Sequence, residues 1–573
     1  MSLVLLAGLA LAASPVGDSL PDPLTLHAAP APRRIDTIVL LPHGALEGSK
    51  ILTAGDSLAY DIAEWLRDNV FHSRTSPNTV RARLGFREGD PVDSLRLAES
   101  ERSLRTEKFL ADAKVRRQDL PDGRTAVEVE TWDRWSTTIL ASLARSGGET
   151  SWLLGAHEAN LAGTGQDVAF WYSSSSVRSS WTESYTNTAF LLPGGLFSLT
   201  WAELTDGHQV LASVGQPVRT VFQEWAWGLD FSDLISTRRS LASRSQRETL
   251  DSRYDLAWSE DSWLSSMPRS RNRTARFSVS NIQGRDTRLQ ISGIAESELD
   301  SASTPRSAFG FDTTQLAALR ADPELHSWLR RPSQRDDRRL GMSVSVQSLK
   351  YARLRNFNQL KWTEDIPTGW KLTGTAMANV LSRGDVRDDG YLYGQGSWTG
   401  IEGAWYGTAA GAWKSFFRDG DPQAGSAALR TEGRWLAAPG VQAIANASSQ
   451  VVTGVPVGVT EVSLGEDNGL PGYPARYLSG RGLFLSTAEV RWALPLEALT
   501  VAPALALVAG AGRVSDGPDV LGDGPWRQGV GFGIRLGMTR SPAAIVNHLT
   551  FSVPVGRDSK LGWLISFGAK QTL

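Results

Sequence analysis

The chain has 573 residues, with 59 Lys and Arg against 61 Asp and Glu, a formal net charge of −2 and a pI near 6.4. That balance lacks the cationic surplus with which a dedicated nucleic-acid binder neutralises phosphates, so nucleic acid is excluded as the partner. The absence of cysteine excludes a disulfide framework, a thiolate metal site and a cysteine nucleophile, and it suits an oxidising compartment.

Leu3 to Ala12 form a short apolar run ending in Ala10-Leu11-Ala12, the small-x-small pattern of a signal-peptidase site. Residues 1–13 therefore read as a secretory signal peptide, though without the usual basic start. Residues 14–34, rich in Pro and Ala and closed by Arg33-Arg34, read as a flexible spacer. A small α/β unit is expected over 35–134, with an insertion near 43–72. Its first strand is Ile35 to Leu41, and Asp56 or Ser57 can cap a helix carrying Leu58, Ile62, Trp65, Leu66 and Val70 on one stripe. Pro77 to Leu84 gives another helical turn, and Asp93 or Ser94 caps a helix through Leu97 and Leu104. Phe109 to Arg116 and Thr125 to Thr131 read as strands joined by a Pro121-Asp122-Gly123 turn, completing a β-α-α-β-β order.

Beyond Trp135 strands alternate with Gly, Asp, Ser and Pro clusters to the end of the chain. In Val530 to Met538 one face is wholly apolar while the other carries Gly531, Gly533, Arg535 and Gly537. Phe484, Ser486, Ala488, Val490 and Trp492 likewise stand opposite Leu483, Leu485, Thr487, Glu489 and Arg491. A soluble sandwich would explain the alternation, but a sheet domain over 135–573 exceeds one sandwich core. The 21 Trp residues suit rings at two membrane interfaces. No window of about 20 residues is continuously apolar, so helices do not span a membrane. The fold class is mostly β: a transmembrane β-barrel of about 16 strands of about ten residues, preceded by the small α/β unit.

The run from Leu84 to Val115 followed by Asp122 to Glu130 resembles a polypeptide-transport-associated (POTRA) domain. Glu158-Ala-Asn160-Leu-Ala-Gly163-Thr-Gly165 is similar to the opening motif of barrels in the BamA-like outer-membrane assembly and translocation superfamily. Gly469 to Gly482 followed by Thr487 to Trp492 resembles that family's loop-six motif and its next strand. Gly163 and Gly165 are read as flanking a tight turn between the first two barrel strands, where Gly tolerates positive φ, as an ordinary hairpin would also require. The edge strand from Phe109, with Leu110, Lys114 and Val115, is a surface on which an extended client can add.

Loop six departs from the family. Within Leu470, Pro471, Gly472 and Tyr473 the family's arginine position is Pro471, and the acidic partner position aligns with Gly510. Both halves of that ion pair are absent together, consistent with the cost of a buried charge left alone. Arg476, Arg481, Glu489 and Arg491 are the candidate lumen charges for a substitute lock. The family usually ends on an aromatic residue, and this chain ends on Leu573, in phase with Trp563, Ile565 and Phe567.

Signals for an enzyme are weak. The GDSL strings at Gly17 and Gly55 lack a late Asp-x-x-His, and His157-Glu158 has Leu161 where a zincin needs histidine. No catalytic residue, metal ligand or cofactor is expected, and Asp300 to Arg339 reads as a long polar surface loop. The resemblance implies an outer-membrane protein that receives unfolded polypeptide on a periplasmic POTRA unit and inserts it into, or passes it across, the membrane. It implies lipid contact, a separable seam between strands near Ser151 to Glu158 and Trp563 to Lys570, and leaves periplasmic or lipoprotein partners open. A passive pore, a structural surface-antigen barrel and a lipid-moving barrel stand as alternatives.

Overall fold

The computed structural model describes residues 33–44, 74–134, 136–176, 178–192, 194–237, 240–241, 264–267, 269–302, 306–309, 314, 317, 321, 334–348, 350–355, 363–438, 440–453, 462–494, 501–515, 517–522, 525–538, 545–556 and 558–571. The expected signal peptide, the spacer to residue 32, the helix on Leu58 to Val70 and Leu573 lie outside the described residues.

In the small unit β1 (Thr37–His43) is followed by α1 (Pro77–Arg81), α2 (Ser94–Arg105), β2 (Leu110–Asp119) and β3 (Thr125–Asp133), the order read from sequence. Capping sets the helix starts. Ser76 precedes Pro77 and accepts from the Thr79 amide, and Asp93 Oδ1 accepts the Leu95 amide at 2.9 Å. The sheet order is β1-β3-β2, with β1 parallel and β2 antiparallel to β3, so β2 is an edge. Ile35, Val80, Leu104, Phe109, Leu110 and Val127 form the core, each buried side chain contributing roughly 1.5–3 kcal/mol.

The rest is a barrel of β4 (Thr137–Ser146), β5 (Glu149–Glu158), β6 (Gln166–Ser174), β7 (Ser179–Asn187), β8 (Leu196–Leu204), β9 (Gly207–Gln216), β10 (Trp225–Thr237), β11 (Arg269–Gln283) and β12 (Thr287–Ala302). It continues with β13 (Gln334–Ser348, extended by Lys350–Arg355), β14 (Thr363–Gly384), β15 (Gly390–Glu402), β16 (Trp405–Arg418), β17 (Asp421–Ala438) and β18 (Val441–Thr453). It ends with β19 (Gly482–Ala493), β20 (Val501–Ser515), β21 (Arg527–Met538), β22 (Ile545–Val555) and β23 (Leu564–Gln571). Each strand pairs antiparallel with the next, and β23 returns to β4, closing 20 strands. This corrects the expected count of about 16. Part of the difference is physical: Asp300 to Arg339, read as one surface loop, contains the end of β12 and the start of β13, whose charges are hidden inside the barrel.

An even strand number brings the start of β4 and the end of β23 to one rim, the near rim, where the α/β unit sits; the opposite rim is the far rim. The outer face is apolar as the alternation predicted: Val530, Phe532, Ile534 and Leu536 are exposed while Arg535 between them is buried. Exposed tryptophans gather in two belts. Trp225, Trp370, Trp405, Trp435 and Trp492 stand near the near rim, and Trp152, Trp181, Trp201 and Trp563 near the far rim. A closed ladder with an apolar belt between aromatic rings satisfies a bilayer, in which every backbone amide must be paired internally. No described helix is long and apolar enough to cross a membrane. Wall height varies: β23 has 8 residues and β4 has 10, against 14 in β16 and 18 in β17.

Candidate functional site

The barrel closes weakly. Among the described residues of β23 and β4 only Phe567 and Arg145 are in register, whereas β4 pairs with β5 along its whole length. The weakly paired line therefore runs along Thr137–Ser146, and Ser151 to Glu158, expected at the seam, belongs to the second strand. The misplacement has one cause: the Glu158-to-Gly165 motif was read as the first hairpin turn, and it joins β5 to β6.

The loop between β18 and β19 folds back inside the barrel. Leu464, Leu470 and Tyr473 are fully buried against Val452, Leu483 and Leu485 of the wall. The Tyr473 hydroxyl donates to the Gln528 carbonyl at 3.2 Å and lies 3.3 Å from Asp558 Oδ2. The structure places Pro471 against Gly510: a Cβ on Gly510 would stand 2.5 Å from Pro471 Cδ. A proline ring thus packs on a glycine here, and shape seats the loop. A Gly510→Val substitution overpacks this contact at a cost of about 1–3 kcal/mol, and trypsin should cut the loop at Arg476 about tenfold faster than in the parent.

The same loop reaches across the seam. Glu466 accepts from Ser552 Oγ of β22 at 2.8 Å with one carboxylate oxygen and from the Gly147 amide, just beyond β4, at 3.0 Å with the other. The Ala475 amide donates to the Gly147 carbonyl at 2.9 Å, an approach that only glycine permits, since a Cβ there would lie 2.1 Å from the Ala475 nitrogen. Arg476 pairs with Glu149. Arg481 is exposed at the loop base, and its amide donates to the Ser515 carbonyl at 2.8 Å. Glu489 and Arg491 pair inside the barrel and are joined by Arg535, 2.9 Å from Glu489.

Sequence reading missed a second charged group. Arg339, buried, contacts Glu296 at 3.1 Å and also Glu298 and Asp337, while Arg335 lies 3.0 Å from Asp388. Its signal was present as Arg335, Asp337 and Arg339 at a period of two, one face of a strand. Among the described residues no group of three or more His, Asp or Glu could hold a metal.

The Glu158-to-Gly165 motif is the socket for the α/β unit. Asn160 is fully buried; its Oδ1 accepts the Gly165 amide at 2.7 Å and its Nδ2 donates to Thr75 Oγ1 at 2.9 Å. Thr75 Oγ1 donates in turn to Asp133 at 2.6 Å. The Gly163 carbonyl accepts the Ser76 amide and the Thr79 hydroxyl at 2.9 and 2.8 Å. Glu158 binds the Asn160 amide at 2.7 Å and the Thr137 hydroxyl at the start of β4. Gly163 and Gly165 have φ of 74° and 68°, as expected of the turn, and a Cβ on Gly165 would meet Phe109 at 2.8 Å. Asn160→Ala strands buried partners and should cost about 1–3 kcal/mol at the junction, read as faster hydrogen exchange at the Thr75 and Gly165 amides.

At the proposed client edge, Phe109, Leu110 and Val115 point into the core and Lys114 lies over the Trp132 ring at 4.5 Å, so the edge offers backbone rather than side chains. Even that backbone is guarded: Glu101 accepts the Val115 amide at 3.0 Å and Arg105 pairs with Glu101. Elsewhere in the unit Arg83 pairs with Glu107 at 3.3 Å; burial pulls its guanidinium below the ordinary value, opposed by the Glu107 charge.

No protein-family model and no curated protein matches the chain. Among solved structures, CdiB from Acinetobacter baumannii is similar at 13% identity and a TM-score of 0.44, covering 94% of this chain and 74% of that one. CdiB from Escherichia coli is similar at 12% identity and 0.41, covering 96% and 92%. BamA from Haemophilus ducreyi lacking POTRA domains 1–3 is similar at 9% identity and 0.38, covering 94% and 84%. The closed barrel led by a small α/β unit is the architecture that the sequence resemblance to the BamA-like superfamily implies.

Proposed function

We propose that this is an outer-membrane barrel of the BamA-like kind, whose POTRA-type unit holds unfolded polypeptide in the periplasm and delivers it to the seam for insertion or translocation. The observation that carries the reading is the single registered pair between β23 and β4 in a barrel otherwise continuously paired. An unpaired strand margin is a template on which a client strand can add, so backbone pairing drives transfer without bond chemistry. On this reading the α/β unit faces the periplasm, and the inner loop spanning the seam keeps a weakly paired margin shut.

A single Cys at Lys114, in a chain with no other cysteine, tests the reading by crosslinking in living cells. A spread of incompletely folded outer-membrane or secreted chains is expected. Adding Glu101→Ala uncovers the Val115 amide and should raise the crosslink yield several-fold. Crosslinks to nothing, with or without Glu101→Ala, would leave a pore or structural barrel.

A further inference from the structure

A cavity of about 530 Å³ lies where α2 faces the near rim, between the α/β unit and the inner ends of β12, β13 and β14. Its acids are already answered. Glu99 takes both Arg102 nitrogens at 2.8 Å, Glu107 faces Arg83 and Arg219 at 3.3 and 3.6 Å, and Asp167 faces Lys108 and His157 at 2.9 and 3.1 Å. Two cations are left over. Arg288 is 4% exposed, donates once to the Thr220 carbonyl at 2.6 Å, and its Nε has no partner among the described residues. Lys371 on β14 is exposed and makes no ion pair with a described residue.

A buried guanidinium with an unused donor is costly, and its fork fits a carboxylate or a phosphoryl group. Arg288 and Lys371 lie on the inner side of the wall: Ile291 and Leu372, in the opposite phase of their strands, are exposed on the outer face. A bilayer headgroup would have to leave its leaflet to reach them, whereas a chain passing between the unit and the barrel mouth crosses the cavity. We infer that this cavity binds acidic side chains of an extended polypeptide segment, so that the mouth prefers clients carrying Asp or Glu there. The inference rests on the client reading above and adds its substrate class.

The test uses the purified full-length protein and two fluorescent twelve-residue peptides of one sequence, one with alternating Glu and the other with Gln. The Glu peptide is expected to bind about tenfold more tightly, with the difference shrinking as salt rises. Lys371→Gln, at an exposed residue with no ion-pair partner among the described residues, should cut the preference about threefold. Arg288→Gln with Lys371→Gln should abolish it. Equal binding of both peptides by the parent, or a preference untouched by Lys371→Gln and by the double variant, overturns the inference. Displacement of the Glu peptide by inorganic phosphate, or by glycerophosphoglycerol, at matching concentration reassigns the cavity to a free anion or to a lipid headgroup and also overturns it. A Lys114 crosslink to clients without charge preference leaves the client reading standing, whereas loss of both peptide binding and crosslink removes the two together.

Discussion

Oxidising a variant that carries Arg145→Cys and Phe567→Cys is expected to stop the proposed polypeptide transfer by more than a hundredfold while the barrel stays folded, and reduction is expected to restore it. The two residues are opposed Cα partners, a separation of about 4.5–5.5 Å that lies inside the range a disulfide spans. Both side chains sit on the outer face, in phase with exposed Leu143 and Ile565. With no native cysteine no competing bond forms. The energetics favour a large effect: one net backbone hydrogen bond contributes about 1 kcal/mol, so the seam's own backbone resists opening by about that much and a covalent bond resists it entirely. Arg145→Cys with Thr150→Cys makes the matched control, since it staples β4 to β5, where pairing is already continuous. Transfer that survives oxidation of the seam pair would exclude opening along this line. The loop adds its own hold, because Glu466 grips β22 and Gly147 together. Glu466→Gln should loosen the seam in the opposite sense to the disulfide.

Arg339→Met is expected to destabilise the folded barrel by about 3–5 kcal/mol, seen as a lower urea midpoint in the gel-mobility assay that separates folded from unfolded barrels. The side chain is buried, contacting Glu296, Glu298 and Asp337. Removing it takes away the counter-charge that three acids share and leaves only the longer contacts of Arg276 to Glu296 and Arg335 to Asp337, both at 3.5 Å, which costs more than the pair itself contributes. Adding Asp337→Asn should recover part of the loss, and full additivity of the two changes would argue that the residues are uncoupled.

The sequence carried the local structure well and the long-range closure less well. The Asp93 cap, the turn at Gly123, and the faces of β19 and β21 were legible because each depends on residues within one turn or a period of two. The packing of Pro471 on Gly510 is a long-range contact that neither local sequence shows by itself. Strand number was not legible, because the start of β13 carries Arg335, Asp336, Asp337, Arg338 and Arg339. Such a run reads as solvated loop until partners on β12 are known. The seam falls one strand earlier than the sequence suggests because the Glu158-to-Gly165 turn joins β5 to β6, and nothing local marks β4 as a strand before it. The socket role of Asn160 was invisible for the same reason, its partner Thr75 lying 85 residues away.

The uneven wall has a consequence for the surrounding lipid. With a rise of about 3.4 Å per residue and a tilt of about 45°, the 8 residues of β23 climb about 19 Å while the 14 of β16 climb about 34 Å. An unperturbed hydrocarbon layer is about 30 Å thick, so it matches β16 and overtops β23. Acyl chains next to the seam must compress or splay, storing hydrophobic mismatch at fractions of a kcal/mol per Å. The strands from β4 to β9 have only 9 or 10 residues each, so the strained lipid covers a broad sector of the wall, and the weakly joined line lies inside it.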